Sequence, residues 1–332
     1  MIPAMLIGIT HERIVVIGGS GFLGRHLVPR LSAQIRRVVV PTRRYMRARH
    51  LILLPTVDVV ELDVHDGAAL QRLVAANDAV INLAGVLHGR PPDRRAPDWG
   101  PDFDDAHVDI VRKLVDACRA SGKRRLIHVS ALGVTDDGER SAPSRYLRSK
   151  AAAERIVRES ELDWTILRPS VMFGPEDRFL NLFAKLQRFS PVMLLPMADA
   201  KFQPIYVADV AQAIVNVLDL PQSHGRCFEL AGPEVLTLRE LVELAGRASG
   251  HRRRILVPPE WLARLQAWLL EHLPGRTLMS RDNLESMKVP NVAHGPLDPL
   301  LGIRPAAVTA IAPTYLGRPS SRFMTARERA RR

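Results

Sequence analysis

A tyrosine and a lysine stand four residues apart in a segment that is typical of a helix. Tyr146 and Lys150 lie in SRYLRSKAAAERIV, residues 144–157, and this spacing places both side chains on one helix face. An ammonium group beside a phenol lowers the phenol's pKa and so favours proton transfer. The pair therefore predicts either an acid/base site or a clamp that holds a ligand without turning it over, and both alternatives stay open.

A glycine-rich turn precedes the first predicted helix. In IVVIGGSGFLGRHL a β-branched run leads into Gly18, Gly21 and Gly24 at three-residue spacing. The first glycine permits a tight turn, the second lets a pyrophosphate approach the backbone, and the third allows the helix to pack closely on the strand. The helix N-terminus offers unpaired N–H groups to the phosphates. The pattern predicts a dinucleotide site at Gly18, Ser20, Gly21, Phe22, Leu23 and Gly24.

The end of the second predicted strand indicates which dinucleotide binds. NAD-specific sites carry an acid there for the ribose 2′-hydroxyl, whereas this chain reads VVVPTRRYM, with Thr42, Arg43 and Arg44. A guanidinium can hold a 2′-phosphate in bidentate fashion and stack on adenine. NADP(H) is therefore favoured, through Arg43 before Arg44. NAD(H) is the alternative if both arginines only face solvent.

Two residues after the third predicted strand extend this site. Asp63 and Val64, in ELDVHD, stand where the edge of an adenine would be read. The alternative for Asp63 is a capping role at the helix that follows.

Short β-branched runs alternate with amphipathic stretches from Arg13 to Pro169, which is typical of βαβ units. Each run is apolar throughout, as expected for strands that are covered on both faces. The sequence predicts an α/β fold, a Rossmann-type doubly wound parallel sheet. Six strands are predicted, at RIVVIG, RRVVVP, VDVVEL, DAVINLA, RRLIHVS and DWTILRP.

The alternation ends after Arg168, and helical segments with short strand-like pieces such as RCFELAG follow. This change predicts a smaller, mostly helical C-terminal lobe at the carboxyl edge of the sheet. The predicted organisation is a Rossmann domain at residues 1–170 and a lobe at residues 171–316 that shares its core. A basic tail at residues 317–332 is predicted to be disordered.

A tryptophan-rich segment in the second lobe, PEWLARLQAWLLEHLPG, predicts a helix with one apolar face. Packing within the lobe is the favoured interpretation of that face, and a helix lying on a membrane surface is the alternative. With the arginines of the tail, it would allow peripheral association with the inner face of the cytoplasmic membrane. The residues of the face are Trp261, Leu265, Trp268 and Leu269.

The composition argues against several classes of protein. Cys118 and Cys227 are the two cysteines, and their separation gives no zinc spacing and no disulfide framework, so a cytoplasmic protein without a metal site is expected. The formal net charge of +12 is spread over short clusters without an aromatic stacking surface, so nucleic-acid binding is not expected. Neither a signal peptide nor a membrane-spanning helix is predicted.

Several motifs stand in the order that is found in the extended and atypical short-chain dehydrogenase/reductases. They are GGSGFLG, NLAG, HVSALG, YLRSK, LRPSVMFGPEDRF and QPIYVADVAQAI. The chain resembles this family from about Arg13 to about Leu316. FGPEDRFLNLFA, YLRSK and LGIRP look most like the branch that contains the nucleotide-binding accessory subunit of respiratory complex I and its bacterial relatives.

The resemblance implies an active site made of Ser130, Tyr146 and Lys150. Tyr146 would pass a proton to or from a substrate oxygen during hydride transfer, while Lys150 holds the nicotinamide ribose and Ser130 holds that oxygen. The resemblance also implies two further groups of cofactor contacts. The middle of the cofactor would meet Leu83, Ala84, Gly85 and Val86, and its carboxamide would meet Pro169, Ser170, Val171 and Phe173.

Three functions follow from the resemblance. The leading one is an NADP(H)-dependent oxidoreductase that acts on a small apolar or quinone-like substrate. The second is a nucleotide-holding structural or sensory protein of a respiratory or quinone-biosynthetic assembly. The third, a nucleotide-sugar epimerase or dehydratase, is disfavoured because His107 stands where those enzymes usually carry Asn. His107 and His128 are both expected to be structural imidazoles.

Overall fold

The structure, a computed structural model, describes residues 9–92, 97–272 and 279–317. The predicted basic tail therefore lies almost wholly outside the described residues. The strands are β1 (Arg13–Ile17), β2 (Arg37–Thr42), β3 (Val57–Glu61), β4 (Ala79–Asn82), β5 (Arg125–Val129), β6 (Asp163–Pro169), β7 (Met172–Phe173), β8 (Val192–Leu194), β9 (Lys201–Phe202), β10 (Ile205–Tyr206), β11 (Arg226–Leu230), β12 (Leu236–Thr237) and β13 (Arg254–Leu256).

The α-helices alternate with the strands in the first half of the chain and predominate in the second. They are α1 (Phe22–Ala33), α2 (Gly67–Ala75), α3 (Pro101–Phe103), α4 (Ile110–Ala120), α5 (Gly138–Ser141), α6 (Arg145–Arg158), α7 (Leu180–Phe189), α8 (Val207–Leu218), α9 (Leu238–Ser249), α10 (Glu260–His272), α11 (Arg281–Ser286) and α12 (Val308–Leu316). A π-helical turn, Asp104–Asp109, joins α3 to α4. Short 3-10 turns occur at Tyr45–Ala48, Pro221–Ser223 and Pro299–Leu301.

A seven-stranded parallel sheet with the strand order β11-β6-β5-β4-β1-β2-β3 organises the fold. From β1 the chain proceeds outward in one direction through β2 and β3, and in the other direction through β4, β5 and β6. The direction reverses between β1 and β4, and doubly wound folds bind ligands beyond the carboxyl ends of such a pair of strands. The predicted α/β class and the Rossmann-type sheet are confirmed.

The sheet has one strand more than the six that the sequence predicted. The segment RCFELAG forms β11, which pairs in parallel with β6 instead of belonging to a helical lobe. Its burial alternates, with Phe228 and Leu230 buried and Arg226 exposed, as in a strand at the edge of a sheet. The sequence indicated a strand-like piece at this position but placed it in the second lobe, because its alternating pattern differs from the continuous apolar runs of the other strands.

The chain forms two compact units, and it passes between them more than once. The first unit contains the described residues up to Ser170 together with residues 207–230 and 293–304, and the second contains residues 171–206, 231–292 and those from 305 onward. The predicted division at residue 170 treats each lobe as one continuous segment. The structure differs because the chain returns to the first unit, where α8 packs on α1 and β11 joins the edge of the sheet.

Each unit has its own apolar core. In the first, Val15, Leu114 and Leu126 represent a cluster that joins the sheet to α2, α4 and α6. In the second, Phe173 and Leu241 lie in a cluster formed chiefly by α7, α9 and α12. Neither of these two clusters includes a residue of α10. The buried residues of that helix are Ala263 and Ala267.

The outer face of α10 contradicts the favoured packing interpretation. Trp261 is 68% exposed and Leu269 is 52% exposed, and Leu265 and Trp268 are exposed beside them. The helix is apolar on both sides, and the smaller alanine side supplies its packing, so the sequence pattern did not show which side faces inward. None of the helices in the described residues has the length and apolar character needed to cross a membrane.

A fully buried arginine joins the sheet to α8. Arg125, at the start of β5, donates to the carbonyl oxygens of Val217 and Leu218 at the end of α8, at 2.6 and 2.8 Å. It also donates to the Asp163 carbonyl, to Thr165 Oγ1 and to Ser223 Oγ. Burial lowers the pKa of this guanidinium to about 10, so it stays charged at neutral pH. The helix carbonyls, which carry partial negative charge, stabilise that cation.

Candidate functional site

The glycine-rich turn follows β1 with the geometry that each glycine position requires. Gly18 has a φ of +76°, and a Cβ there would lie 3.0 Å from the Leu83 carbonyl carbon. A Cβ on Gly24 would lie 2.1 Å from the Gly19 oxygen, so any other residue would push α1 off the turn. The Gly21 N–H donates to the Gly18 oxygen at 2.9 Å and closes the turn.

The N-terminus of α1 is open to an anion. Its N-cap is Gly21, which offers no side-chain cap, and its first turn contains no acidic residue. The first intrahelical hydrogen bond runs from the Arg25 N–H to the Gly21 oxygen at 3.1 Å, so the preceding N–H groups, those of Phe22, Leu23 and Gly24, lie ahead of the helical ladder. Ser20 lies in the turn itself. The arrangement suits a pyrophosphate.

Thr42 ends β2 and is buried, and Arg43 and Arg44 follow it with exposed side chains. Among the residues that the structure describes, neither guanidinium forms an ion pair, so both are available to an anionic group. Glu61, the last residue of β3, is the register partner of Thr42 and is exposed. The sequence around Thr42 did not indicate an acid beside it, because Glu61 belongs to a neighbouring strand.

Asp63 does not cap the helix that follows it. Its Oδ1 accepts from the His65 N–H at 3.1 Å, which closes a short turn. The cap of α2 is Asp66, whose Oδ1 accepts from the N–H groups of Ala68 and Ala69. The capping alternative for Asp63 was therefore wrong, while Asp63 and the adjacent Val64 remain predicted adenine contacts.

The segment Leu83 to Val86 lies beside the glycine turn at the end of β4. The Leu83 N–H donates to the Ile17 oxygen at 2.9 Å, and the Ala84 N–H donates to Asn82 Oδ1 at 3.0 Å. A Cβ on Gly85 would lie 3.2 Å from Lys150 Nζ. The structure thus brings this segment together with the lysine of α6, from a distant part of the sequence.

Lys150 is buried within the fold. Ser144 caps α6 by accepting from the Leu147 N–H at 3.2 Å, and the helix carries Lys150 to the end of β5, where Nζ donates to the Val129 oxygen at 3.2 Å. Burial lowers the pKa of Lys150 to about 8, and the negative charge of Glu154 opposes this shift. The ammonium therefore predominates at neutral pH, with donors left for a ligand.

Ser130 follows β5 directly and is 5% exposed. Its N–H donates to the Leu167 oxygen at 2.8 Å, which continues the sheet ladder. Its Oγ is buried and has no hydrogen-bond partner among the described residues. An unpartnered buried hydroxyl costs free energy, and a bound ligand with an oxygen at this position would remove that cost.

Tyr146 lies in a small aromatic cluster. Its ring meets His107 edge-on at a centroid distance of 5.5 Å and Phe103 at 6.1 Å. Burial raises the pKa of Tyr146 to about 12, so the phenol keeps its proton. The lowering of this pKa by Lys150 that the sequence predicted is not found, because the cost of burying a phenolate determines the shift.

The two histidines are both buried, as predicted for structural imidazoles. Asn82 Nδ2 donates to His128 Nδ1 at 3.2 Å, and burial lowers the pKa of His128 to about 3. The Val86 N–H donates to His107 Nε2 at 3.0 Å. His107 thereby contacts the segment predicted to line the cofactor, a connection that sequence spacing did not indicate.

The four predicted carboxamide contacts fall in different units. Pro169 and Ser170 belong to the first, where the Pro169 oxygen accepts from the Leu132 N–H at 2.9 Å and the Ser170 N–H donates to the Leu230 oxygen at 2.8 Å. Val171 and Phe173 belong to the second. There the Val171 N–H donates to Asn291 Oδ1 at 2.8 Å, and Phe173 pairs with Tyr206 between β7 and β10.

Comparison with known families agrees with the glycine turn and the sheet. The family whose model is described as NAD(P)H-binding matches residues 18–221, which run from the first glycine of the turn to beyond α8. This chain belongs to that NAD(P)H-binding family. Its membership confirms a nucleotide cofactor, without distinguishing NADP from NAD.

Relatives of this NAD(P)H-binding chain include respiratory subunits. It is 40% identical over 238 residues to the NADH dehydrogenase [ubiquinone] 1 alpha subcomplex subunit 9, mitochondrial, of Arabidopsis thaliana, with 69% of this chain and 56% of that protein covered. It is 32% identical over 300 residues to the subunit of the same name in Mus musculus, with 87% and 76% covered. The predicted resemblance to the complex I branch is confirmed.

The fold also matches that of sugar-nucleotide enzymes. The UDP-glucose 4-epimerase of Thermotoga maritima superposes with a TM-score of 0.67 at 18% identity, covering 92% of this chain and 97% of the epimerase. At that identity the likeness shows a shared fold alone.

Within the described residues no group of three or more His, Cys, Asp or Glu side chains is arranged to hold a metal ion.

Proposed function

We propose that this chain holds NADP(H) as a nucleotide-binding component of a respiratory or quinone-biosynthetic assembly. The observation that carries the proposal is the buried Lys150 ammonium, which lies against the Gly85 backbone beside the glycine turn. A cation at this point can donate to the ribose that joins the pyrophosphate to the nicotinamide. The relatives named as mitochondrial NADH dehydrogenase subunits support the assembly.

The state of Tyr146 disfavours a role as a general base and is compatible with holding the nucleotide. Because burial raises the pKa of the phenol to about 12, the side chain is a weak acid at neutral pH, and its phenolate is too scarce to act as a base. Its ring is also packed against Phe103 and His107. A residue packed in this way can support a bound nucleotide without transferring a proton.

The direct test is to purify the chain and identify the nucleotide that remains bound to it, by mass spectrometry. NADP(H) at near one equivalent per chain is expected. If the purified chain carries no nucleotide and binds neither NADPH nor NADH in titration, the proposal fails.

Replacing Arg43 and Arg44 together with alanine is expected to weaken NADPH binding by about 10- to 100-fold and NADH binding by less than about 3-fold. Charge-assisted hydrogen bonds to a phosphate contribute about 1.5–3 kcal/mol each, and only NADPH has the 2′-phosphate. Titration of nucleotide fluorescence measures both affinities. Arg37→Ala, at the exposed start of the same strand, is the matched control. Equal losses for the two nucleotides would contradict the NADP(H) preference.

A reductase is the second candidate, and the unpartnered Ser130 hydroxyl favours it. That hydroxyl and the protonated Tyr146 could both donate to the oxygen of a small apolar carbonyl or quinone while NADPH supplies a hydride.

If the chain is a reductase, Tyr146→Phe is expected to lower the rate of NADPH oxidation by about 100-fold or more, with NADPH affinity within about 3-fold of the wild type. NADPH absorbance in the presence of quinones or aldehydes measures this rate. Unstimulated oxidation in both proteins would remove this candidate.

The exposed face of α10 supports a peripheral position on an anionic membrane surface. The inner face of the cytoplasmic membrane is the surface that we propose. Trp261 and Trp268 are side chains that favour a lipid–water interface, and they face solvent together with two leucines. The exposed Arg252 and Arg254 lie shortly before this helix, and the whole chain carries +12. A negatively charged lipid surface fits this combination of apolar and basic side chains.

Flotation with vesicles tests this position. The wild type is expected to float with vesicles that contain anionic phosphatidylglycerol and to dissociate when salt is raised. Substituting Trp261 and Trp268 with alanine should reduce the bound fraction by about 10-fold, since their large apolar surfaces are lost. Trp164→Phe, in the sheet, is the control. Equal flotation with neutral vesicles, or self-association through α10 without flotation, would contradict membrane binding.

A further inference from the structure

A continuous chain of hydrogen bonds connects the predicted cofactor segment to the helix that carries Tyr146 and Lys150. The Val86 N–H donates to His107 Nε2 at 3.0 Å. His107 Nδ1 lies 2.7 Å from Ser149 Oγ, and that hydroxyl donates to the Tyr146 carbonyl oxygen at 2.8 Å. Since a backbone N–H can only donate, Nε2 accepts and Nδ1 carries the proton.

Both ring nitrogens of His107 are therefore used, and the imidazole must be neutral. His107 is 1% exposed and Ser149 is 0% exposed. Burial lowers the pKa of His107 well below its ordinary value, and the charge of Lys150 acts in the same direction. A protonated ring would lose the acceptor that holds Val86, so burial and neighbouring charge both preserve the hydrogen-bonded form.

The backbone around His107 and Gly85 is shaped for this contact. His107 lies in the π-helical turn Asp104–Asp109, and such turns are rare and occur frequently at functional sites. A Cβ on Gly85 would lie 3.2 Å from Lys150 Nζ and 3.5 Å from His107 Nε2. Lys150 Nζ and the neutral His107 ring thus both lie beside Gly85, and the ring alone accepts a hydrogen bond from the segment, at Val86.

We propose that His107 is a positioning residue, which fixes the segment from Gly85 to Val86 against α6 so that this segment and Lys150 contact one nucleotide together. The inference rests on the proposed binding of NADP(H) and concerns the half of the nucleotide that carries the nicotinamide. The adenosine half, predicted to lie against Arg43 and Asp63, contacts other elements. His107 therefore acts on one half of the ligand and leaves the other unchanged.

Two variants separate the two bonds of the ring. His107→Gln can place an oxygen near the position of Nε2 and keep the bond from Val86, whereas His107→Asn can keep only the bond to Ser149. Ser149→Ala removes the second bond and leaves the histidine in place. The three variants are compared with the wild type in binding to NADPH and to 2′,5′-ADP, which lacks the nicotinamide half.

Each variant is expected to lose about 10-fold in NADPH affinity, with 2′,5′-ADP affinity unchanged within about 2-fold and one cooperative melting transition retained. Nitrogen NMR of the unliganded wild type at neutral pH should show a neutral His107 ring protonated on Nδ1. Equal losses for both ligands would indicate general destabilisation and overturn the inference, as would a proton on Nε2. If the wild type binds neither ligand, the proposed function fails instead, and the NMR result still decides the state of the ring.

Discussion

Replacing Lys150 with methionine is expected to weaken NADPH binding by about 10- to 100-fold at pH 7. Methionine keeps much of the aliphatic volume but removes a buried ammonium whose charge-assisted hydrogen bonds contribute about 1.5–3 kcal/mol, and 1.4 kcal/mol corresponds to a factor of ten. Titration of nucleotide fluorescence measures the loss. Lys185→Met, at an exposed position on α7, is the control and should bind as the wild type does. An unchanged affinity for the Lys150 variant would contradict its role as a ligand.

The pH dependence provides a second measure of the same lysine. Since the pKa of Lys150 is about 8, wild-type affinity for NADPH should fall above pH 8, by up to about tenfold per pH unit. Stability changes in the opposite direction. Between the folded pKa of about 8 and the ordinary value of 10.5 the unfolded chain binds more protons, so raising the pH raises the free energy of unfolding.

The difference between wild type and Lys150→Met isolates this contribution from those of other groups. Their difference in free energy of unfolding, from urea denaturation without nucleotide, should change in favour of the wild type by up to about 3 kcal/mol from below pH 8 to pH 10.5. NADPH affinity of the wild type should decline over the same interval. A constant difference in stability would show that the ammonium is not buried as described.

Replacing Arg125 with methionine is expected to lower the free energy of unfolding by about 3–5 kcal/mol. The guanidinium donates to five oxygens from β6, α8 and the following turn, and its removal leaves buried acceptors without a donor, at about 1–3 kcal/mol for each group that water cannot reach. The free energy of unfolding of Arg125→Lys should lie between those of the wild type and Arg125→Met, because one ammonium cannot reproduce the planar set of donors.

The neighbouring Arg124 offers a matched control. Its side chain is 63% exposed and pairs with Asp163, so Arg124→Met should leave the free energy of unfolding close to that of the wild type. Urea denaturation measures all three variants against the wild type. A loss below about 1 kcal/mol for Arg125→Met would mean that methionine packing compensates for the whole hydrogen-bond set.

Much of the nucleotide side of the site follows from local sequence. Glycine is needed at position 18 because φ there is +76°, and at position 24 because a Cβ would meet the Gly19 backbone of the preceding turn. Both causes act within a few residues of the chain. The helix around Lys150 was predicted from its spacing and begins at a serine cap. The six predicted strands also lie in the sheet, and the central strands β4 and β5 are buried along their whole length, as expected for strands covered on both faces.

Contacts between residues that are distant along the chain were not indicated by the sequence. His107 bonds to residues 21 and 42 positions away, and no local pattern marks a histidine with such partners. Glu61 stands beside Thr42 only through strand pairing. The pKa values of Tyr146 and Lys150 are set by burial, which the spacing of the two residues does not specify.

The sequence by itself determined the class of fold, the nucleotide-binding turn and the helix that carries Tyr146 and Lys150, because each leaves a pattern of residue types and spacing within a short stretch of chain. The tertiary structure decided that β11 completes the sheet, that α10 turns its tryptophans outward, and that Arg125 bonds to residues up to 98 positions away. Those outcomes depend on which surfaces the whole chain buries together. Burial also fixed the protonation of the site, since the cost of removing a charge from water depends on everything packed around it.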